Sequence, residues 1–358
     1  MGRIIGKDLL AEPLLLPNKL MPTSHLDLPK LKLSLLHRVF VCLILATVVS
    51  IAALTWWAGS ELASPSRRPL HDYHLEFLAH PTDHGMQMEK FTLTDGTPCL
   101  MCAPDPSGKL GSRGETLRSQ FAAQNYALSP AGQVLGTLVL VHGRKGRKED
   151  YLPIAERLCA VGFRCLLPDL PSHGEHPSPL ICYGVREAKL PAAVLKEASE
   201  KFSFPPQPAG VLGMSMGGSV AMHAADLPAA PWRALVIISS FHAFQPALQL
   251  QASRLAGSWL GKPWVTGAGW IYQWKTDLAL DQIQPHSHAA HLRIPTLILH
   301  GTEDQIVPIE SGRQLFAALP STLEKKWVEI PSADHHNVLI TDFPTYATIA
   351  QWMLTHVR

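Results

Sequence analysis

The sequence predicts an α/β fold in which a mostly parallel sheet carries reactive side chains at the carboxyl ends of its strands. Three segments support this prediction: two are short apolar runs and the third reads as a further strand, and each is followed by a polar turn. The three turns contain Ser215, Asp304 and His335. Such apolar runs are typical of strands buried on both faces, and open parallel sheets bind ligands at the carboxyl ends of their strands.

The segment Gly213–Gly217 reads Gly-Met-Ser-Met-Gly and lies between an apolar strand and a helical run. A serine on a tight strand-to-helix turn is a nucleophile elbow, in which the glycines let strand and helix approach closely. We therefore identify Ser215 as the candidate nucleophile. The backbone N–H of Met216 lies at the start of the helix, where the dipole favours an oxyanion, and is a candidate donor to it.

Two later strand ends hold the candidate acid and base. One apolar run leads to a glycine turn with two carboxylates, Glu303 and Asp304. A further strand, at 327–330, leads to a loop with the histidine pair His335 and His336. The chain order of serine, acid and histidine is the order of the α/β-hydrolases, and it differs from the orders in chymotrypsin and subtilisin.

From about residue 86 to the C-terminus, the chain resembles the α/β-hydrolase superfamily of the serine-hydrolase type, in particular its serine aminopeptidase-like and prolyl-oligopeptidase-like groups. Besides the elbow, the resemblance rests on a hairpin at 91–98, on a strand at 137–141 that ends in His-Gly, and on a strand and loop at 163–174. It implies an eight-stranded, mostly parallel sheet with helices on both faces.

The resemblance also implies the roles of the site residues. The nucleophile, acid and base of the triad would be Ser215, Asp304 and His335. Glu303 stays open as an alternative acid, and His336 as an alternative base. The oxyanion donors would be the backbone N–H groups of Met216 and of Arg144, which follows the His-Gly pair.

These residue types suit acyl transfer. A serine hydroxyl needs an adjacent base, histidine titrates near neutral pH, and an aspartate holds the imidazole tautomer. We expect a serine hydrolase that cleaves an ester, thioester or amide of a small-molecule acyl substrate through an acyl-enzyme, with no cofactor and no metal. A serine aminopeptidase-like peptidase and a catalytically silent binding module are the alternatives.

Residues 39–59 contain no charge and are long enough to span a bilayer as one helix. Trp56 and Trp57 lie at one end of this segment, where an aromatic belt would be. A buried core helix and a cleaved signal peptide are the other interpretations of such a run. We expect a membrane anchor.

Basic residues flank this segment on both sides. Lys30, Lys32 and Arg38 precede it, and Arg67 and Arg68 follow it. The difference between the sides is modest and favours a cytoplasmic N-terminus with the enzyme outside the cytoplasm.

Composition bounds the remaining possibilities. The chain has 358 residues, of which 46% are hydrophobic and 17% charged, as expected of a protein with a core. A formal net charge of +2 gives no nucleic-acid footprint. The oligomeric state stays open. The predicted organisation is a tail at 1–38, an anchor at 39–59, a linker at 60–85, and a hydrolase domain at 86–358 with a helical cap at 242–291.

Two further groups of residues have alternative interpretations. Four tryptophans of the cap would face an apolar pocket or pack the cap onto the body: Trp259, Trp264, Trp270 and Trp274. A basic cluster would attract an anionic substrate or lie in a solvated loop: Arg144, Lys145, Arg147 and Lys148.

Overall fold

A computed structural model describes residues 34–340 and 344–358. The chain divides into two units, Met1–Ser50 and Ile51–Arg358. Lys30 and Lys32, on which the predicted orientation partly depends, lie outside the described residues, as does most of the predicted tail.

The second unit contains one eight-stranded sheet. Its strands, in chain order, are β1 (Met86–Thr92), β2 (Pro98–Pro104), β3 (Gly136–Val141), β4 (Phe163–Pro168), β5 (Ala209–Met214), β6 (Ala234–Ile238), β7 (Thr296–Gly301) and β8 (Lys325–Ile330). Their order across the sheet is β1-β2-β4-β3-β5-β6-β7-β8. The β1–β2 and β2–β4 pairs are antiparallel and all other pairs are parallel. The predicted mostly parallel sheet is confirmed.

The central strands are buried on both faces, which explains their continuous apolar sequences. In β3, Leu138 and Leu140 pack into one hydrophobic cluster, whereas Val139 and Val141 pack into a second cluster. Successive side chains of a strand point to opposite faces, so the two clusters are the two layers between the sheet and its helices.

Eleven α-helices lie in the described residues. They are α1 (Leu35–Ala63), α2 (Asp72–Ala79), α3 (Ser112–Ala123), α4 (Leu152–Ala160), α5 (Leu190–Lys201), α6 (Met216–Ala225), α7 (Phe244–Ala256), α8 (Ser258–Thr276), α9 (Pro285–Ala289), α10 (Ile309–Ala318) and α11 (Thr345–His356). The segment between β6 and β7, predicted to be a helical cap, holds α7, α8 and α9.

Helix α1 is long and apolar enough to cross a membrane, and a signal sequence near an N-terminus has the same properties. It is longer than the predicted segment at 39–59, because the helix continues to Ala63. Ala63 is buried in the core of the second unit, and the hydroxyl of Tyr183 donates a hydrogen bond of 2.8 Å to the carbonyl oxygen of Leu62.

The segment 60–85 differs from the expected linker. Its helix α2 carries Phe77, which is 1% exposed and packs in the same hydrophobic cluster as Leu138 and Leu140. The ring of His84 stacks on Phe77 at 3.6 Å between centroids. Contacts with residues distant in the chain order this segment, and its Pro- and His-rich sequence does not reveal them.

Candidate active site

Ser215 lies on the turn between β5 and α6, with φ 55° and ψ −120°. This backbone conformation is rarely adopted by a non-glycine residue and is a source of local strain. The turn is tight because a Cβ on Gly217 would overlap the carbonyl oxygen of Val141, and a Cβ on Gly213 would overlap that of Gly217. The two glycines therefore permit the close contact of β5, β3 and α6 that aims the Ser215 hydroxyl into a cleft.

A continuous chain of hydrogen bonds joins the three residues singled out in the sequence. The Nε2 atom of His335 lies 3.0 Å from Oγ of Ser215, and its Nδ1 atom lies 2.8 Å from Oδ2 of Asp304. Asp304 is 5% exposed. Nucleophile, base and acid therefore stand within hydrogen-bonding distance, the geometry that activates a serine.

The turn after β7 holds the Asp304 carboxylate in place. Its Oδ1 atom accepts hydrogen bonds from the backbone N–H groups of Ile306, at 3.0 Å, and Val307, at 2.7 Å. Oδ2 thereby remains directed at His335. The neighbouring His300 ring lies 2.7 Å from the carbonyl oxygen of Val307, and burial lowers its pKa, which favours a neutral imidazole beside the carboxylate.

The alternative acid and base lie outside this chain of hydrogen bonds. Glu303 is exposed to solvent, and its backbone N–H donates to the carbonyl oxygen of Ala333. His336 is also exposed, and its backbone N–H bonds to the Asp334 carboxylate at 2.7 Å. The structure thus brings Asp304 and His335 to Ser215.

The loop after β3 approaches the nucleophile from the other side. A Cβ on Gly143 would lie 3.5 Å from Cβ of Ser215. The carbonyl oxygen of Gly143 accepts hydrogen bonds from the Gly146 N–H and from Nδ1 of His142, at 3.0 and 2.9 Å. A trans peptide directs its N–H opposite to its carbonyl, so the N–H of Arg144 points away from His142. The expected roles of Arg144 and Met216 remain predictions.

His142 ties this loop to the strand beside it. Its Nε2 atom accepts a hydrogen bond of 3.0 Å from the backbone N–H of Leu170, after β4. Burial lowers the pKa of His142. A neutral ring with Nδ1 protonated satisfies both of its hydrogen bonds, and it fixes the Gly143 carbonyl.

Two of the four cations in the basic cluster, Arg147 and Lys148, are structural, contrary to both sequence interpretations, whereas Arg144 and Lys145 line the cavity at Ser215. Lys148 is 3% exposed, and its ammonium lies 2.8 Å from Asp169 and 2.5 Å from Glu175. Arg147 is also buried and pairs with Glu149 at 2.6 Å. Buried charges need such partners because burial penalises the charged form. These two cations are therefore neutralised locally and do not face a substrate.

The other two cations of the cluster meet helix α1. Lys145 lies 2.9 Å from the carboxylate of Glu61, and Arg144 lies 3.5 Å from it. Arg144 also donates a hydrogen bond of 2.8 Å to the carbonyl oxygen of Glu61. The loop that approaches Ser215 is thus fastened to the end of α1.

A cavity of about 960 Å³ opens at Ser215 and His335. Its walls combine the loop after β3 with apolar side chains of several elements, including Leu62, Phe241, Phe244, Leu248, Ile306 and Leu339. Phe244 and Leu248 belong to α7, and Leu62 belongs to α1. The cavity can hold an apolar group beside a serine, which is the environment an acyl chain requires.

The tryptophans of the predicted cap do not line this cavity. Trp259 is 94% exposed, and Trp270 and Trp274 are each 70% exposed. Trp264 alone of the four is partly buried against the core. The interpretation that they face an apolar pocket is therefore wrong, and only Trp264 packs on the body as the alternative predicted.

No cluster of metal-ligating side chains occurs among residues 34–340 and 344–358. The histidines near α9 pair instead with a carboxylate: Nδ1 of His288 lies 2.8 Å from Asp226, and Nδ1 of His291 lies 3.6 Å from it. The six cysteines, Cys42 among them, are free thiols, and the other five are buried.

Comparisons with known proteins agree with this fold. A model of the alpha/beta hydrolase family matches residues 138–349. Among curated proteins, YfhR of Salmonella typhimurium is 22% identical over 206 residues, which is 56% of this chain and 64% of YfhR. The chain thus matches less than two thirds of that relative's length.

Solved structures share the fold. An esterase of Pyrococcus furiosus superposes with a TM-score of 0.57 at 14% identity, covering 83% of this chain and 99% of the esterase. An acylaminoacyl peptidase of Pyrococcus horikoshii superposes with a TM-score of 0.53 at 14% identity, covering 81% of this chain and 44% of the peptidase.

Proposed function

Because the chain belongs to the alpha/beta hydrolase family, we propose that it is a membrane-anchored serine hydrolase that cleaves an ester, thioester or amide through an acyl-enzyme. The observation that carries the proposal is the chain of hydrogen bonds from Ser215 through His335 to Asp304. A silent binding module has no need for a strained serine aligned with a buried acid and a base.

In the proposed reaction, Nε2 of His335 takes the proton of Ser215 as Oγ attacks the carbonyl carbon. The negative charge that develops on the carbonyl oxygen is stabilised by the N–H groups of Met216 and Arg144. Collapse of the tetrahedral intermediate breaks the bond to the leaving group, which receives the proton from His335. Water then attacks the acyl-enzyme by the same route, and Asp304 stabilises the imidazolium in both halves.

The apolar wall of the cavity favours an acyl group with a hydrocarbon chain. We place α1 in the membrane as an anchor, with the catalytic unit outside the cytoplasm. Protease added to intact spheroplasts should then degrade the catalytic unit. Protection until lysis would reverse this orientation and leave the chemistry unaffected.

A fluorophosphonate probe tests the chemistry directly, because it labels only an activated serine. The wild-type chain should be labelled and should hydrolyse p-nitrophenyl esters, whereas Ser215→Ala should lose both properties, with a loss of rate of roughly 10³-fold or more. Ser240→Ala is a matched control, since the Ser240 hydroxyl only donates a hydrogen bond to the carbonyl oxygen of Ser215. Labelling of Ser215→Ala would refute the assignment.

A further inference from the structure

The outward side of helix α8 carries three exposed tryptophans. Eleven residues nearly complete three helical turns, so Trp259, Trp270 and Trp274 lie within about 60° of one another around the helix axis. The residues that α8 buries lie on the opposite side, and they are Gly261, Val265, Ala268, Tyr272 and Thr276. The helix thus carries three large exposed apolar side chains on its outward side, next to the polar Lys262, Thr266 and Gln273, whereas a helix on a water-exposed surface usually carries mainly polar residues outward.

The turn before α8 extends this outward face. Leu255 is 85% exposed at the end of α7, and Leu260 is 69% exposed in the first turn of α8. Together with the three tryptophans they are the large exposed apolar side chains of the α7–α8 hairpin, a set that we term the tryptophan face. A concentration of exposed apolar side chains marks a site of contact with another apolar phase.

The tryptophan face adjoins the end of the proposed anchor. The rings of Trp56, in α1, and Trp274 lie 5.6 Å apart. A Cβ on Gly59 would overlap Ala268 and Ile271, so residues 51–63 of α1 lie in backbone contact with α8. The tryptophan face therefore continues from the tryptophans at the end of the apolar run, where an aromatic belt would meet the membrane surface.

The charge of the hairpin also favours a membrane surface as the partner of the tryptophan face. The 33 residues from Phe244 to Thr276 contain no aspartate or glutamate and three cations, Arg254, Lys262 and Lys275. A basic surface with exposed tryptophans suits the interfacial layer of a bilayer that contains anionic lipids.

We infer that the α7–α8 hairpin docks through its tryptophan face into the interfacial layer of the membrane that α1 enters. Phe244 and Leu248, on the inner side of the same hairpin, line the cavity at Ser215. The same hairpin thus contributes both to the cavity wall and to the tryptophan face. The substrate class nearest to the Ser215 nucleophile is then an amphiphilic lipid ester in the interfacial layer of the membrane. This choice of substrate class rests on the proposed function.

A spin label at position 259 tests docking without catalysis. The experiment uses the full chain carrying Cys42→Ala and Ser215→Ala in vesicles with anionic lipid. The remaining five thiols are buried, so Trp259→Cys adds one reactive site. The label at 259 should be accessible to oxygen and shielded from a water-soluble nickel complex. Ser321→Cys is the matched control, because Ser321 is exposed in the turn before β8 and should remain accessible to the nickel complex.

Equal accessibility of positions 259 and 321 to nickel would overturn the inference. Dipolar broadening between labels at 259 would also overturn it, because a second copy of the chain would then cover the face. Resistance of the protein to carbonate extraction is measured in parallel. Complete extraction of the protein would contradict the proposed membrane anchor, and this outcome is distinct from a failure of the docking inference.

Activity gives a second readout. Trp259→Gln should lower kcat/KM by about tenfold for an ester presented in vesicles, because one large apolar contact with the bilayer is lost. The same variant should hydrolyse a short soluble ester at the wild-type rate, since Trp259 does not line the cavity. An equal loss on both substrates would count against docking, and a wild-type chain without esterase activity would refute only the proposed function.

Discussion

Replacing Asp304 with asparagine should invert the hydrogen bond that orients His335. Oδ1 of Asp304 accepts two backbone N–H groups, so the amide oxygen of an asparagine would take that position. The amide nitrogen would then face Nδ1 of His335, where Oδ2 now lies at 2.8 Å. As an N–H donor, it would select the tautomer with Nε2 protonated, and Nε2 could no longer accept the Ser215 proton.

The expected cost follows from the loss of the general base. In a serine protease triad the same exchange lowers kcat by about 10⁴-fold, which corresponds to about 5.5 kcal/mol of transition-state stabilisation. Steady-state hydrolysis of a p-nitrophenyl ester and the rate of fluorophosphonate labelling should both fall. The fold should persist, because asparagine has nearly the same shape as aspartate and keeps both backbone hydrogen bonds.

Glu303→Gln is the matched control for this prediction. Glu303 is adjacent in the chain and exposed, so the rate should stay within about twofold of the wild-type value. If Asp304→Asn retained more than a tenth of the wild-type rate while folded, the tautomer argument would fail. A large loss in Glu303→Gln would instead move the acid by one residue.

Three other predictions concern the base, the buried cluster and pH. His335→Ala should be as inactive in ester hydrolysis as Ser215→Ala, whereas His336→Ala should lose little activity. The reverse result would make His336 the base. Lys148→Met should lower the free energy of unfolding, measured by urea denaturation, by about 3 kcal/mol, because Asp169 would lose its buried partner. Lys145→Gln removes a more exposed ion pair and should lower the free energy of unfolding by less than about 1 kcal/mol. Equal losses in the two variants would contradict the prediction that the Lys148 pair is structural. Burial lowers the pKa of His173 from 6.5 to about 3, so as the pH falls this histidine is protonated in the unfolded chain before it is protonated in the folded chain. The free energy of unfolding should therefore fall below pH 6.5, by about 2 kcal/mol at pH 5. Calorimetry should show a shallower fall for His173→Gln.

Local sequence was sufficient for the strands and for the three aligned residues. Each of β3, β5, β6 and β7 is a short apolar run with both faces buried, so the signal lies within a few residues. Ser215 and Asp304 each follow such a run, whereas His335 follows the edge strand β8, which is only partly buried. Parallel strands bring their carboxyl ends to one edge. Their proximity therefore follows from the topology.

Contacts between distant segments could not be predicted in the same way. The partner that buries Lys148 is Asp169, which is 21 residues away at the end of β4. Helix α2 depends on Phe77 reaching the core across residues that resemble a linker. The spacing of Trp259 and Trp270 places both on one side of a helix. It does not tell whether that side faces a pocket or solvent, so their exposure could not be predicted.

The backbone of Ser215 links activity to stability. A residue held at φ 55° and ψ −120° costs of order 1–3 kcal/mol, and glycine would relieve most of this strain. A chain with glycine at position 215 would therefore fold more stably while losing the hydroxyl. Selection for stability alone would therefore favour glycine at position 215, and that single substitution would make the protein a catalytically inactive member of its family. A lineage that keeps serine at this position is under selection for catalysis.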